Sequence, residues 1–390
     1  MEKERKKIWI ISGEESGDIY GARLICELRR ISEGAEPEIS VMGGRRMAET
    51  GAEVMVDATE LGVVGFLEVM SIFFRIAGIF RMLVKKAAED RPDCVVLIDY
   101  PGFNMRLAAK LHKLGIPVVW YISPQVWAWK KYRIKHLAEY CRKMLVIFPF
   151  EVDVYKGTGL DTEFVGHPLV EVVHARQNPE IKRDPNLVLL LPGSRSNEIN
   201  RLFLPMLETA AMLHETHPEL RFTVAAPRDT VYDRLKEIYE KFCEFRKNSP
   251  MPEITITYGE TGLWMQKAAT GLAASGTVTV ECAIAGLPLA VVYKLNPITY
   301  HLAKLFIKIP YFTMVNLIAD KKVYDEFLQG DVNPKTLTDA MEQILPGGKR
   351  REEVEKDIAN VVAMLSGDKE EGIHIDASRR AAEAVLNTIR

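Results

Sequence analysis

The stretch "NLVLLLPGSRSNEINRLF" (Asn186–Phe203) sets the reading of the whole chain. Its apolar run, Leu187–Leu191, ends at Pro192, passes through a Gly-Ser-Arg turn and continues as an amphipathic pattern. A uniformly apolar run reads as a strand covered on both faces, and a strand, turn and helix in succession form the repeating unit of a parallel α/β sheet. Gly193 and Ser194 would expose backbone N–H groups beside a helix start, where the macrodipole favours anions. Arg195 can add a bidentate grip on phosphate oxygens. The same glycine also suits a tight turn with no ligand.

The unit recurs on both sides of this stretch. "KIWIISG" precedes "DIYGARLICELRR", in which Ile19, Ala22, Ile25 and Leu28 fall at helical spacing. "CVVLIDYPG", "PVVWYISP" and "KMLVIFP" are further apolar runs closed by turn residues. Around Asp161–Pro185 the texture turns polar and aperiodic, which places a linker there. After it come "RFTVAAP", "EITITYG", "TGLAASG" and "LPLAVVYK", and from Gly347 onward the tail reads as helical. At 390 residues the chain is long for one core. The expected architecture is α/β, with two Rossmann-like domains at 1–170 and 185–346 and a helical tail at 347–390.

Composition removes several function classes. With 47% hydrophobic and 27% charged residues the chain belongs with folded proteins, and a net charge of −2 supplies no general attraction for nucleic acid. Five cysteines without C-x-x-C spacing fit neither a disulfide framework nor a zinc site, and suggest a reducing, cytosolic setting. The apolar run near the start is too short for a signal peptide, and no run of ~18 apolar residues suggests a membrane span. G-x-G-x-x-G, Walker A and G-x-S-x-G motifs are absent, as is a D-x-D pair for a metal–nucleotide complex.

Three other strand ends carry candidate chemistry. "SGEESGDIYG" (Ser12–Gly21) places Glu14 and Glu15 where open α/β sheets bind ligands, although Ser16 as a cap and Asp18 in the first turn also explain the pattern. "LIDYPGFNMRLA" (Leu97–Ala108) puts Asp99 at the end of a buried run, which suits a general base. Asp99 and Asn104 could instead simply bond the Pro101-Gly102 turn. "AASGTVTVECAIAG" (Ala273–Gly286) offers a second phosphate-type turn at Ser275, Gly276 and Thr277. Glu281 follows one helical turn beyond Thr277, at a depth suited to ribose hydroxyls.

Surface patterning adds a membrane candidate. In Gly65–Glu89, the polar residues Glu68, Ser71, Arg75, Gly78, Arg81, Lys85 and Lys86 share an arc of about 140° on a helical wheel, opposite an apolar arc of roughly 220°. Leu67, Val69, Ile72, Phe73, Ile76, Phe80 and Leu83 lie on the apolar side. A half-buried helix needs only ~100°, so the excess suits a membrane surface or acyl chains; burial between domains would also use it. "SPQVWAWKKYRIKHL" (Ser123–Leu137), with Trp127 and Trp129 before several cations, and "ITYHLAKLFIKIPYF" (Ile298–Phe312) suggest further interfaces. His167 reads as a structural histidine at a domain edge.

Taken in order, "SGEESGD", "IDYPGFN", "YISPQVWAW", "FPFE", "FVGHPL", "LLPGSR", "ASGTVTVE" and "VNLIA" resemble the lipid-A-disaccharide synthase family, inverting glycosyltransferases of the GT-B fold. The resemblance spans essentially the whole chain. One departure is Gly102, where the family often has a second aspartate, so Asp99 is the only carboxylate of its turn. The resemblance implies transfer from UDP-2,3-diacylglucosamine to 2,3-diacylglucosamine 1-phosphate, giving the β-1,6 disaccharide 1-phosphate and UDP with inversion. It implies no cofactor and no metal, and peripheral association with the cytoplasmic face of the inner membrane. A homodimer is a further option, and nucleic acid is not an expected partner. Asp99 is implied as the base with Glu15 as its rival, and Ser16 and Asn316 as further active-site residues. Gly193, Ser194, Arg195 and Ser275–Thr277 would hold the diphosphate, and Glu281 the ribose. Leu67, Val69, Ile72, Phe73, Ile76 and Phe80 would meet membrane or acyl chains. The tail helices would cross back onto the first domain. Competing readings are a UDP-GlcNAc 2-epimerase, a peptidoglycan-type GlcNAc transferase, or a non-catalytic nucleotide-sugar sensor.

Overall fold

The computed structural model describes residues 5–32, 35–58, 69–128, 130–296, 300, 310–367 and 376–389, with only the backbone of 69–73. The chain divides into two compact units, Met1–Pro168 together with Leu365–Arg390, and Leu169–Met364.

The first unit is a seven-stranded parallel sheet. Its strands are β1 (Lys7–Ile11), β2 (Glu38–Gly43), β3 (Glu53–Asp57), β4 (Cys94–Ile98), β5 (Val118–Tyr121), β6 (Lys143–Val146) and β7 (Asp161–Phe164), in the order β3-β2-β1-β4-β5-β6-β7. Ile8–Ile11 of β1 and all of β4 and β5 are buried, as a sheet covered on both faces requires. On one face Trp9, Ile11, Val95, Leu97 and Trp120 pack with Phe103, Leu107 and Leu111 of the helix Pro101–Lys113.

The second unit is a six-stranded parallel sheet. Its strands are β8 (Asp184–Leu191), β9 (Arg221–Ala226), β10 (Glu253–Tyr258), β11 (Ala268–Ala274), β12 (Leu289–Tyr293) and β13 (Asp325–Leu328), in the order β10-β9-β8-β11-β12-β13. The opening stretch forms β8 and the helix Ser196–Thr216, joined by the turn at 192–195.

Two boundaries differ from expectation. The polar segment read as a linker contains β7 and the helix Pro168–His174. The tail does not act as one piece: the helix Arg351–Ser366 lies almost wholly in the second unit, and the helix Ala377–Thr388 in the first. Polar ties explain the former, since Arg351 Nη1 donates to the Ala269 and Ile344 carbonyls at 2.7 and 2.9 Å, and Lys321 pairs with the buried Asp357 at 2.5 Å. The last helix packs on Glu15–Ile31.

Arg183, just ahead of β8, fastens this region. Its Nη1 donates to the Met265 and Ala268 carbonyls at 3.0 and 2.5 Å, and its Nη2 to the Ala285 carbonyl. These carbonyls sit at the ends of the helices Thr261–Lys267 and Thr277–Ile284, where intrahelical donors run out. Arg183→Ala should therefore cost about 2–4 kcal/mol of stability, read from urea denaturation midpoints. An unchanged midpoint would contradict the role given to the guanidinium.

The helix Val69–Asp90 corrects part of the wheel reading. Ile76 and Phe80 are half-buried against the core of their own unit, with Leu83 and Ala87 fully buried, and Phe80 meets Phe103 edge-on at 5.7 Å. Much of the apolar arc is thus used internally. Among the described side chains of this helix, the exposed large apolar ones are Phe74 (63% exposed) and Met82 (38%). Leu67 lies outside the described residues, as do the side chains of Val69, Ile72 and Phe73. Trp129 and most of Ile298–Phe312 also lie outside them. Among the described residues no helix is long and apolar enough to cross a membrane.

Candidate active site

Each sheet has one point where the chain reverses its direction of travel across the strands. In the first it lies between β1 and β4, in the second between β8 and β11. Loops leaving the carboxyl ends of such neighbours diverge and open a crevice, the usual ligand position in open α/β sheets. At the first such point stand Ser12–Glu14 and Asp99-Tyr100; at the second stand Gly193–Arg195 and Ser275–Thr277. Within each sheet, neighbouring strands bring these loops together at a spacing of roughly 4.8 Å.

The turn after β4 is strained. Asp99 and Tyr100 have φ of 42° and 48°, and Ile122, after β5, has φ of 70°. Non-glycine residues in this region cost about 1–3 kcal/mol each, and such strain concentrates at functional sites. Buried Asn104 holds the turn by donating to the Ile98 and Asp99 carbonyls at 3.2 and 2.8 Å. Gly13 lies so close to the Tyr100 ring that an added Cβ would stand 2.5 Å from it, so the two loops interlock only with glycine there. Burial, and then the neighbouring Glu14 carboxylate, push the Asp99 carboxyl up to about 6. A carboxylate tuned to that range is a competent general base near neutral pH.

Glu15 and Ser16 are exposed on the first turn of the helix Glu15–Ile31. Ser16 does not cap that helix; Glu14 occupies the cap position, and Ser12 Oγ receives its N–H at 3.4 Å. Asp18 turns away to cap another helix, accepting from Gly44 N at 2.7 Å, Arg46 N at 2.8 Å and Met47 N at 3.1 Å. Sequence reading missed Glu151. It is 1% exposed, accepts from Phe148 N at 3.2 Å, and burial raises its carboxyl to about 8, with the Asp99 charge contributing. Its one sequence signal is an acid closing the aromatic run "FPFE". His167 is buried against Phe148 at 5.3 Å, and burial lowers it to about 3, which leaves it neutral.

In the second unit the expected phosphate turn is already partnered. Glu198 accepts from Ser194 N at 3.2 Å and Arg195 N at 3.4 Å through Oε2, while Arg195 Nη1 pairs with Oε1 at 2.9 Å. Arg195 stands at the cap position and its side chain is 80% exposed. Gly193 has φ of 111°, and a Cβ there would meet Glu198 Oε2 at 2.6 Å. An incoming anion at this turn therefore replaces a carboxylate of the protein itself.

Ser275 does not cap the helix Thr277–Ile284. Gly276 stands at the cap without a side-chain bond, and Ser275 Oγ donates to the Phe312 carbonyl at 3.4 Å. Glu281 is largely enclosed, which raises its carboxyl against the opposing pull of Arg176. Both line a pocket of about 220 Å³ with Pro227, Gly259, Thr261 and Met265. Asn316 is fully buried. Its Oδ1 accepts from Val323 N and Tyr324 N at 2.9 and 2.8 Å, and its Nδ2 donates to Tyr324 O and Glu326 Oε1, both at 2.9 Å. A carboxamide so engaged has both its N–H groups used within the protein.

A family profile described as lipid-A-disaccharide synthetase matches residues 8–378. The chain belongs to this family. A protein of Trichlorobacter lovleyi named lipid-A-disaccharide synthase is 35% identical over 393 residues, covering 98% of each chain. Another of that name from Acidobacterium capsulatum is 38% identical over 375 residues, covering 92% of each. Among solved structures, a putative UDP-N-acetylglucosamine 2-epimerase from Listeria monocytogenes superposes with a TM-score of 0.63 at 13% identity, over 99% of this chain and 96% of that one. A kitacinnamycin glycotransferase gives 0.63 at 14% identity over 100% of both. These two likenesses concern the fold, which is the GT-B fold expected for the family.

Proposed function

We propose that the protein is a lipid-A-disaccharide synthase: it transfers 2,3-diacylglucosamine from its UDP derivative to 2,3-diacylglucosamine 1-phosphate, with inversion and without a metal. The observation that carries the mechanism is the half-enclosed Asp99 carboxylate, held by a strained turn at the first switch point and titrating near 6. Asp99 takes the proton of the acceptor 6-hydroxyl as its oxygen attacks the anomeric carbon on the face opposite UDP. The new C–O bond forms as the bond to the diphosphate oxygen breaks, and the electron pair leaves with UDP. Exposed Glu15 is the rival base.

Charge growing on the departing diphosphate is met by Arg195, by the Gly193–Arg195 amides once Glu198 yields them, and by the amino-terminal amides of Thr277–Ile284. Glu281 suits the ribose hydroxyls, and the adjoining pocket the remainder of the nucleoside. Phe74 and Met82 on the helix Val69–Asp90, with Arg75, Arg81 and Lys85 on the same helix, fit a peripheral position at the anionic cytoplasmic face of the inner membrane. The deciding experiment incubates purified protein with both acylated sugars in chelator-treated buffer and follows disaccharide 1-phosphate and UDP. Stoichiometric formation of the two is expected. No product at any acyl length, or 2-epimerised sugar instead, would overturn the assignment.

A further inference from the structure

We propose that Glu326, on β13, is a positioning residue for the donor-side turn Ser275–Thr277, acting through the peptide group that joins Phe312 to Thr313. The proposal rests on the reading of that turn as a holder of the UDP diphosphate. Nothing in the motifs above singles out this glutamate.

The half-buried Glu326 carboxylate gathers four donors. Phe312 N lies 3.1 and 3.2 Å from its two oxygens. Thr313 N is at 2.8 Å, Thr313 Oγ1 at 2.6 Å and Asn316 Nδ2 at 2.9 Å. All four donors reach Oε1 and Phe312 N also reaches Oε2, a crowding that an ionised, accept-only carboxylate suits. A carboxamide loses that charge and turns an NH2 group toward Phe312 N. Thr313 and Asn316 are fully buried, which makes each of these bonds costly to lose.

The link to the site is a single rigid unit. Thr313 N–H and the Phe312 carbonyl are opposite edges of one planar peptide. Glu326 holds the N–H edge, and the carbonyl edge receives Ser275 Oγ at 3.4 Å. Rotating that peptide would move the acceptor to which Ser275 is tied. Ser275 leaves the tip of β11, and its own N–H is fixed to Val292 O at 3.0 Å, so its hydroxyl is the adjustable contact. Thr313 Oγ1 receives Asn316 N at 3.4 Å, and Asn316 fastens the chain just ahead of Glu326 through Val323 and Tyr324. Asn316 and Glu326 thus form one clamp with its output at Ser275.

The test measures UDP affinity by calorimetry and steady-state constants for both substrates on the full chain. Glu326→Gln should raise the Kd of UDP and the KM of the UDP-sugar by about tenfold, with the acceptor KM unchanged. Thr313→Val should behave likewise, and Thr313→Ser should restore wild-type values. In a Ser275→Ala background, Glu326→Gln should add nothing further, since the path ends at that hydroxyl. A purely structural role would lower the active fraction and the Tm while leaving Kd and KM unmoved, which would overturn the proposal, as would full additivity with Ser275→Ala. If Glu326→Gln does not fold, the Thr313 pair decides by the same constants. A wild-type protein that binds no UDP and forms no disaccharide would bring down the reading of the site itself; wild-type activity unaltered in these variants would bring down this proposal alone.

Discussion

Asp99→Asn is expected to lower kcat by about 10²–10⁴ while making the protein more stable at neutral pH. The first effect is loss of the base. The second follows from the site it occupies. The carboxyl titrates near its ordinary 3.8 in the unfolded chain and near 6 in the folded one. The folded state therefore holds the proton more tightly, and stability declines as pH rises through that window, by about 3 kcal/mol once both states are ionised. Asparagine removes this loss. A variant that is inactive and also melts higher at pH 7.5 cannot owe its inactivity to unfolding. Wild-type kcat/KM should fall on the acid side of pH 6, and Glu14→Gln should move that limb to lower pH, because the Glu14 charge is the second cause of the raised value. A normal rate in Asp99→Asn, or a limb that ignores Glu14, would transfer the base role elsewhere, with Glu15 first in line.

Arg195→Ala is expected to lower kcat by about 10²–10⁴ with little change in stability. Among the described residues its guanidinium pairs with Glu198, and an exposed pair of this kind contributes about 0–1 kcal/mol. On the proposed mechanism its value lies in the transition state, where the same fork turns to the leaving diphosphate. The acceptor KM should stay unchanged, and UDP should inhibit the variant more weakly. Wild-type turnover in Arg195→Ala would show that the amides alone meet the leaving-group charge.

The sequence reading found most strands inside each sheet but not β2, and it passed over β3, β7 and β13 at the rims. β1, β4, β5, β6, β8 and β11 are apolar runs because both faces are covered. β3 (EVMVD), β7 (DTEF) and β13 (DEFL) carry acids, and their partly exposed positions permit it. Edge strands bear such charges without penalty, so they do not stand out as apolar runs. The turns at Asp99, Gly193 and Ser275 were legible because a turn must end each strand and its residue types are restricted. Glu151, Glu198 and Glu326 were not, since their roles depend on what the fold packs around them. Glu198 illustrates the point: its position suggests an ordinary first-turn acid, yet its carboxylate covers the amides expected to hold phosphate. Ser16 and Ser275 had the right residue type for caps, but tertiary partners and helix starts shifted by one or two residues gave them other surroundings.

The order of the chain and the order of the units do not coincide. The second unit is one continuous segment, Leu169–Met364, whereas the first needs Leu365–Arg390 to be complete. During synthesis the ribosome therefore delivers every residue of the second unit before the first receives the helix Ala377–Thr388 that packs on Glu15–Ile31. Until those residues leave the ribosome, the helix carrying Glu15 and Ser16 lacks its final neighbour. The unit begun first is the last to be finished.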